Sequence, residues 1–223
     1  MFASMKSTLF HWAFTVGMLM AGVAVILLFI NPRSGNLPDG FTTPIVAFEF
    51  IQTPEEVQNF FSIPNKDRYE DALTTGNALD FPFMFLYSFF LFLTVYSIYI
   101  ITGVSALWIA MVLCPLVFFF DVMENIQLGN IILSYAKEDI SYFLSRLSVF
   151  TWLKWGGISG ILLIISTYFL QGKWWMKAMG VVFIVQFLFA VTAFFHRGIF
   201  NEVFATTIFL SFLLLIVFCK IKN

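Results

Sequence analysis

Charged residues are scarce in this sequence. Asp, Glu, Lys and Arg make up 11% of the 223 residues, whereas soluble domains carry about 25%. Hydrophobic residues make up 60% of the chain, and this composition is typical of a protein that crosses the membrane several times. The net charge is −1, so the chain lacks an excess of basic residues and we expect no nucleic-acid partner.

Residues that often bind metals or form covalent intermediates are also rare. The two cysteines, Cys114 and Cys219, both lie in apolar runs and are interpreted as small apolar residues. The two histidines, His11 and His196, are predicted at opposite membrane faces. The sequence has no H-E-x-x-H, G-x-S-x-G, P-loop or dinucleotide-binding motif. We therefore expect no metal and no cofactor, and the sequence favours a function other than catalysis.

Six apolar segments are long enough to cross a bilayer, which needs about 20 helical residues. They predict an all-α, polytopic integral membrane helix bundle that forms one transmembrane domain over residues 1–223. The predicted spans are 11–30, 81–101, 104–134, 152–170, 176–195 and 199–219. Residues 31–80 form the largest extramembrane loop, which contains three basic and eight acidic residues.

Two short amphipathic helices are predicted outside the membrane spans. Thr53-Pro54-Glu55-Glu56 is typical of a capped helix start, because Thr can accept a hydrogen bond from Glu56 and Pro fits the first helical position. The apolar residues of 140–147 recur at helical spacing beside Lys137 and Glu138. We expect both helices on the outer face, either as a cover for the bundle or as interfacial anchors.

The distribution of lysines indicates an orientation. With six spans, one membrane side receives short segments that contain five lysines and no acid. The other side holds seven basic residues, but the charges of long loops count less. The positive-inside rule then places both termini in the cytoplasm. The five lysines are Lys6, Lys173, Lys177, Lys220 and Lys222.

Polar residues interrupt the third span in the stretch FFFDVMENIQLGN, residues 118–130. Asp121, Glu124 and Asn125 are spaced i, i+3, i+4 and therefore share one face of a helix. Fourteen residues without charge precede this stretch and Ile-Ile-Leu follows it. Because a helix leaving the membrane rarely becomes so apolar again, we interpret the carboxylates as a pocket within the bundle rather than a solvated helix end.

Three more residues are predicted at the same membrane level. Asp80 and Tyr87 lie near the start of the second span, and Asp80 has an alternative interpretation as a helix N-cap. Lys154 lies near the outer end of the fourth span and is the nearest counter-charge for the carboxylates. The predicted ligand-binding set is Asp80, Tyr87, Asp121, Glu124, Asn125 and Lys154.

The residues support three hypotheses for function. The first is an outward-facing pocket that binds or transports a cation, a proton or a small polar headgroup. The second is an accessory subunit, in which the polar residues join helices and the partner is a membrane subunit or a second copy. The third is a lipid-modifying enzyme whose carboxylates act as acid and base. In all three the lipid bilayer is the surrounding partner.

Overall fold

The computed structural model describes residues 2–136 and 139–223, and the side chains from Thr8 onward. These residues form eight α-helices and no strand. The helices are α1 (Phe2–Ile30), α2 (Pro44–Glu49), α3 (Pro54–Phe60), α4 (Lys66–Thr102), α5 (Leu107–Ser134), α6 (Ser141–Leu170), α7 (Trp174–Phe195) and α8 (Ile199–Lys222).

Six of these helices are long and apolar enough to span a membrane: α1, α4, α5, α6, α7 and α8. The predicted all-helical, multi-pass architecture is therefore confirmed. The many apolar side chains that the fold leaves exposed, such as Leu28, Phe29 and Leu133, have the character expected of a surface in contact with lipid.

The long helices form a closed ring. Contacts join α1 to α4, α4 to α5, α5 to α6, α6 to α7, α7 to α8, and α8 back to α1. Aromatic and aliphatic side chains fill the interior, and Phe90, Phe169, Phe183 and Phe204 are completely buried there. Each helix thus buries one face against its two neighbours in the ring.

The short helices α2 and α3 close one end of the ring. We call residues 41–63 the cap, and the end of the ring that carries it the loop side. α2 contacts α5, α6 and α8, and the ring of Phe48 stacks on Phe60 at 5.1 Å. The cap has its own apolar core, which includes Leu144 and Leu147 of α6.

The start of α3 follows the predicted capping pattern in part. The Glu56 amide donates to Thr53 Oγ1 at 3.2 Å, as predicted. The Glu56 carboxylate, however, accepts from the Gln52 amide at 2.9 Å, one residue before the position that a capping box uses. The structure thus supports a helix at this site.

The helices α4 and α1 begin well before their predicted spans. α4 starts at Lys66 rather than at residue 81, because no proline occurs between 66 and 81 and the helix continues through Pro82. Asp80 is consequently inside a helix, and its interpretation as an N-cap was wrong. α1 also begins nearer the N-terminus than the predicted start at residue 11.

The second predicted amphipathic helix is not a separate element. Residues 141–147 are the first two turns of α6, which runs without interruption to Leu170. No proline or glycine separates these turns from the predicted span at 152–170, so nothing ends the helix there. Lys137 and Glu138, which the prediction placed beside this helix, lie outside the described residues.

Candidate functional site

The ammonium group of Lys154 lies at the centre of a group of carboxylates. Its Nζ is 3.2 Å from Glu49 Oε2 and 3.2 Å from Asp121 Oδ1, and it also contacts Glu124 Oε2. The Lys154 and Asp121 residues are 5% and 2% exposed, and Glu124 is completely buried. One lysine therefore forms ion pairs with carboxylates from both α2 and α5.

The helix sequences explain how these groups meet. Asp121 and Glu124 are three residues apart and lie on one face of α5, while Thr151 and Lys154 are three residues apart on α6. α5 and α6 are neighbours in the ring, so the two polar faces are opposed. The cap supplies Glu49 from the last residue of α2.

Thr151 and Trp155 of α6 make hydrogen bonds to Glu124 and Glu49. Thr151 Oγ1 is 2.7 Å from Glu124 Oε1 and 3.1 Å from the Glu49 carbonyl oxygen, so its proton can serve either acceptor. The indole nitrogen of Trp155 donates to Glu49 Oε2 at 2.9 Å. The cap is thereby tied to α6 through both the backbone and the side chain of Glu49.

A second branch of the network joins α4 to α5. Asn125 Nδ2 donates to Asp80 Oδ2 at 2.9 Å, and Asn77 Nδ2 donates to the Asn125 carbonyl oxygen at 3.0 Å. Asp80 is therefore connected to the lysine-centred group through Asn125, which is beside Glu124 in sequence. We call Glu49, Asp80, Asp121, Glu124 and Lys154 the polar cluster.

Tyr87 supplies the remaining contact of Asp121. Its hydroxyl donates to Asp121 Oδ2 at 2.6 Å, and both groups are buried. Asp121 is therefore held by both Lys154 and Tyr87.

We expect Tyr87→Phe to lower the free energy of unfolding by about 1–3 kcal/mol, because a buried charged acceptor loses its donor. Thermal unfolding in detergent measures this. Tyr96→Phe on the same helix is the control, because Tyr96 is half-buried, stacks on Phe92, and makes no hydrogen bond to a charged group among the described residues. Equal unfolding temperatures for the two variants would contradict the prediction.

Asp121 and Lys154 lie well inside the length of their membrane helices. Asp121 is 14 residues after Leu107, about 21 Å along α5, and Lys154 is 16 residues before Leu170, about 24 Å along α6. Both distances are shorter than the roughly 30 Å thickness of a bilayer core. α5 continues to Ser134, so Asp121 is at mid-helix rather than at a helix end.

The carboxylates outnumber the basic groups. With every group ionised, the polar cluster would carry four negative charges and one positive charge, a formal excess of −3.

Burial raises the pKa of Glu49 above its usual value. The Lys154 ammonium and the Trp155 hydrogen bond oppose this rise in the pKa, and the Asp121 charge adds to it. The folded chain therefore takes up a proton at Glu49 more readily than the unfolded chain does.

Two further sets of contacts hold the cap on the ring. The Arg197 guanidinium makes two hydrogen bonds to the Glu56 carboxylate, at 2.5 and 2.9 Å. Burial tends to raise the pKa of Glu56, but the bonds from Arg197 and the Gln52 amide outweigh it and hold that pKa below its usual value. At the start of α8, Glu202 accepts from the Thr42 and Thr43 amides at 2.9 and 2.7 Å.

All six residues of the predicted ligand-binding set belong to one connected network. Lys154, Asp121 and Glu124 form its centre, and Tyr87, Asn125 and Asp80 are attached as described above. The prediction missed Glu49, Thr151, Trp155 and Asn77. Glu49 had a detectable signal, because it is the single charge in the apolar stretch FTTPIVAFEFIQ. The positions of the other three depend on how the helices face one another.

The structure thus defines a multi-pass membrane-type helical protein with buried charged residues. Comparison of the chain with known protein families, curated proteins and solved structures finds no match in any of the three.

Proposed function

We propose that this protein binds and releases protons at the polar cluster, as part of transport or proton-coupled exchange on its loop side. The observation that carries the proposal is the ratio of four carboxylates to one ammonium in a site whose centre, Asp121, Glu124 and Lys154, is buried. Several like charges at such short range cannot all stay ionised without a counter-charge. Protons supply that charge with no added volume.

The position of Lys154 favours protons over a metal ion as the bound species. Its ammonium occupies the point at which three carboxylates converge, where a bound cation would otherwise be expected. Among the described residues, no group of three or more His, Cys, Asp or Glu side chains is arranged to hold a metal ion. A lysine that is fixed among carboxylates can instead exchange hydrogen-bonding partners as a proton is taken up or released.

The cap provides the means of access to the cluster. Glu49 has a side chain that is 14% exposed, and it belongs to the cap rather than to the ring. Movement of the cap would separate Glu49 from Lys154 and admit water to the remaining carboxylates. The Arg197–Glu56 and Glu202–Thr43 contacts would then determine how readily the cap moves.

Neutralising the central carboxylates tests this function. We expect Asp121→Asn and Glu124→Gln to lower proton uptake by the purified protein on acidification, and to lower proton flux into vesicles on the order of 100-fold, because the titrating group is lost. Uptake is measured with a pH-indicator dye and flux with a dye enclosed in reconstituted vesicles. Glu55→Gln, an exposed acid of α3, is the control and is expected to behave as the unchanged protein.

The same variants separate this function from a structural one. A purely structural cluster predicts lower unfolding temperatures for Asp121→Asn and Glu124→Gln, with proton uptake and flux equal to those of Glu55→Gln. That outcome would reject the proton proposal. Variants that retain the unfolding temperature but lose proton uptake would support it.

The structural role is the second candidate, and one observation favours it. Lys154 of α6 joins Glu49 of the cap to Asp121 and Glu124 of α5, so the cluster connects three elements. A protein whose cluster only joins helices fits an accessory subunit of a membrane complex. Isolation from native membranes in mild detergent should then recover a stoichiometric membrane partner, which Lys154 variants would lose.

We also propose that both termini face the cytoplasm and that the cap faces the opposite side. An even number of spans places the two termini on one side, and the short segments on that side contain lysines and no acid. Labelling of single introduced cysteines with a membrane-impermeant maleimide in intact cells tests this orientation. Labelling is expected at residue 59 and not at residue 222.

A further inference from the structure

A polar cavity lies at the loop-side end of α1, separate from the polar cluster. It measures about 710 Å³, within the range of roughly 300–1,000 Å³ that is typical of ligand pockets. Its walls are the end of α1 with the residues that follow it, the turn before α4, and the first turns of α4. These are residues 29–36, 63–65, Arg68, Tyr69 and Ala72.

The charge of this cavity is positive. Arg33 and Arg68 line it, and none of the Asp and Glu residues that the structure describes does. Neither arginine forms an ion pair with any residue that the structure describes. The Arg33 guanidinium lies over the ring of Phe29, 5.7 Å from its centroid. Two free guanidinium groups that share one cavity are suited to a planar or tetrahedral anion.

The wall formed by α4 adds donors of hydrogen bonds. α4 begins next to Asn65, whose side chain makes no capping hydrogen bond, so the positive end of a 37-residue helix borders the cavity. Tyr69 also lines the cavity and is 7% exposed, and its hydroxyl has no hydrogen-bond partner among the described residues. A buried hydroxyl that lacks a partner is costly unless a ligand satisfies it.

The position of the cavity indicates the source of the anion. α1 exposes Leu28 and Phe29, at 65% and 72%, and ends at Ile30. The exposed apolar surface of α1 thus stops next to the cavity, as expected at the boundary between the apolar core of a bilayer and its headgroups. Basic pockets at the ends of membrane helices are well suited to the phosphate of an anionic lipid.

We propose that this cavity binds a phosphate group, and that the group is the phosphodiester of an anionic phospholipid headgroup. Arg33 and Arg68 hold the phosphate oxygens, the first turn of α4 supplies amide donors, and the Tyr69 hydroxyl donates from below. The lipid tails extend along the exposed end of α1. The site uses none of the residues of the polar cluster, so its failure leaves the proton proposal intact.

The test compares lipid binding by arginine variants in detergent. Titration with short-chain phosphatidylglycerol, followed by native mass spectrometry and thermal unfolding, is expected to show saturable binding. Arg33→Gln and Arg68→Gln should each weaken the apparent affinity about tenfold, because each removes a charge-assisted contact. Arg146→Gln is the matched control, because Arg146 is an exposed arginine that is likewise stacked on an aromatic ring, that of Tyr142. The control is expected to bind as the unchanged protein does.

Different ligands then distinguish the sources of phosphate. Stabilisation by phosphatidylglycerol, but not by short-chain phosphatidylcholine or inorganic phosphate, supports the lipid. Equal stabilisation by inorganic phosphate supports the anion site and rejects the lipid as its source. Binding that is equally weak or equally tight in the Arg33, Arg68 and Arg146 variants overturns the proposal, because the two guanidinium groups would then only offset the carbonyl end of α1.

Discussion

Replacing Lys154 with methionine is expected to lower the free energy of unfolding by about 3–5 kcal/mol, because removal of one partner leaves buried charges unpaired. Three carboxylates lose their direct contact with the ammonium group, and Glu124 is completely buried. Methionine nearly conserves the volume of the side chain, so the change isolates the charge. Unfolding in detergent, followed by tryptophan fluorescence and size-exclusion chromatography, measures the effect.

A control and a rescue make this result specific. Lys177→Met removes an exposed lysine of α7 and is expected to change stability by less than about 0.5 kcal/mol. Combining Lys154→Met with Asp121→Asn and Glu124→Gln should restore a large part of the lost stability, since fewer unpaired charges remain buried. If Lys154→Met equals Lys177→Met, or if the triple variant is less stable than the single one, the assignment of Lys154 as the counter-charge is wrong.

Gly198→Val is expected to lower the free energy of unfolding by about 3 kcal/mol, through backbone strain and steric conflict together. Gly198 has φ +92° and ψ −118°, a conformation that residues with a side chain rarely adopt. A Cβ at this position would lie 2.9 Å from the Asp39 carbonyl oxygen. Here the backbone before the cap crosses the turn between α7 and α8, so a side chain would separate the cap from the ring.

Two other glycine variants test whether the loss of stability arises where the backbone before the cap crosses the turn between α7 and α8. Gly40→Ala should also destabilise the fold, because Gly40 has φ +81° and its Cβ would lie 3.0 Å from the Ile199 nitrogen. Gly156→Ala is the control. Apart from its chain neighbours and the backbone of its own helix, no described atom lies within 4 Å of a Cβ built at Gly156. Alanine there is expected to raise the free energy of unfolding by about 0.5–1 kcal/mol, because alanine favours the helix over glycine. Hydrogen exchange should show faster exchange across the cap in Gly198→Val, and similar exchange rates in all variants would contradict the proposed crossing.

Some residues of the site could be predicted because their signal is local. Asp121, Glu124 and Asn125 form a polar face inside an apolar segment, and both the spacing and the setting are visible in thirteen consecutive residues. Lys154 could be predicted as a site residue because it is a charged residue inside another predicted span. By contrast, Thr151 and Trp155 are common residue types in membrane helices. Their role in the site depends on their contacts with Glu49, which is distant in the sequence.

The sequence by itself determined the class of fold. A membrane helix satisfies its backbone hydrogen bonds internally and needs about 20 apolar residues, so six such segments predict six spanning helices without knowledge of their neighbours. The tertiary structure alone decided that the ring is closed, that α4 and α6 extend beyond the membrane segments, and that the cap places Glu49 against Lys154. These features depend on contacts between residues that are far apart in the sequence, such as Glu49 and Lys154. Such contacts are determined by how the helices pack and not by the local sequence pattern.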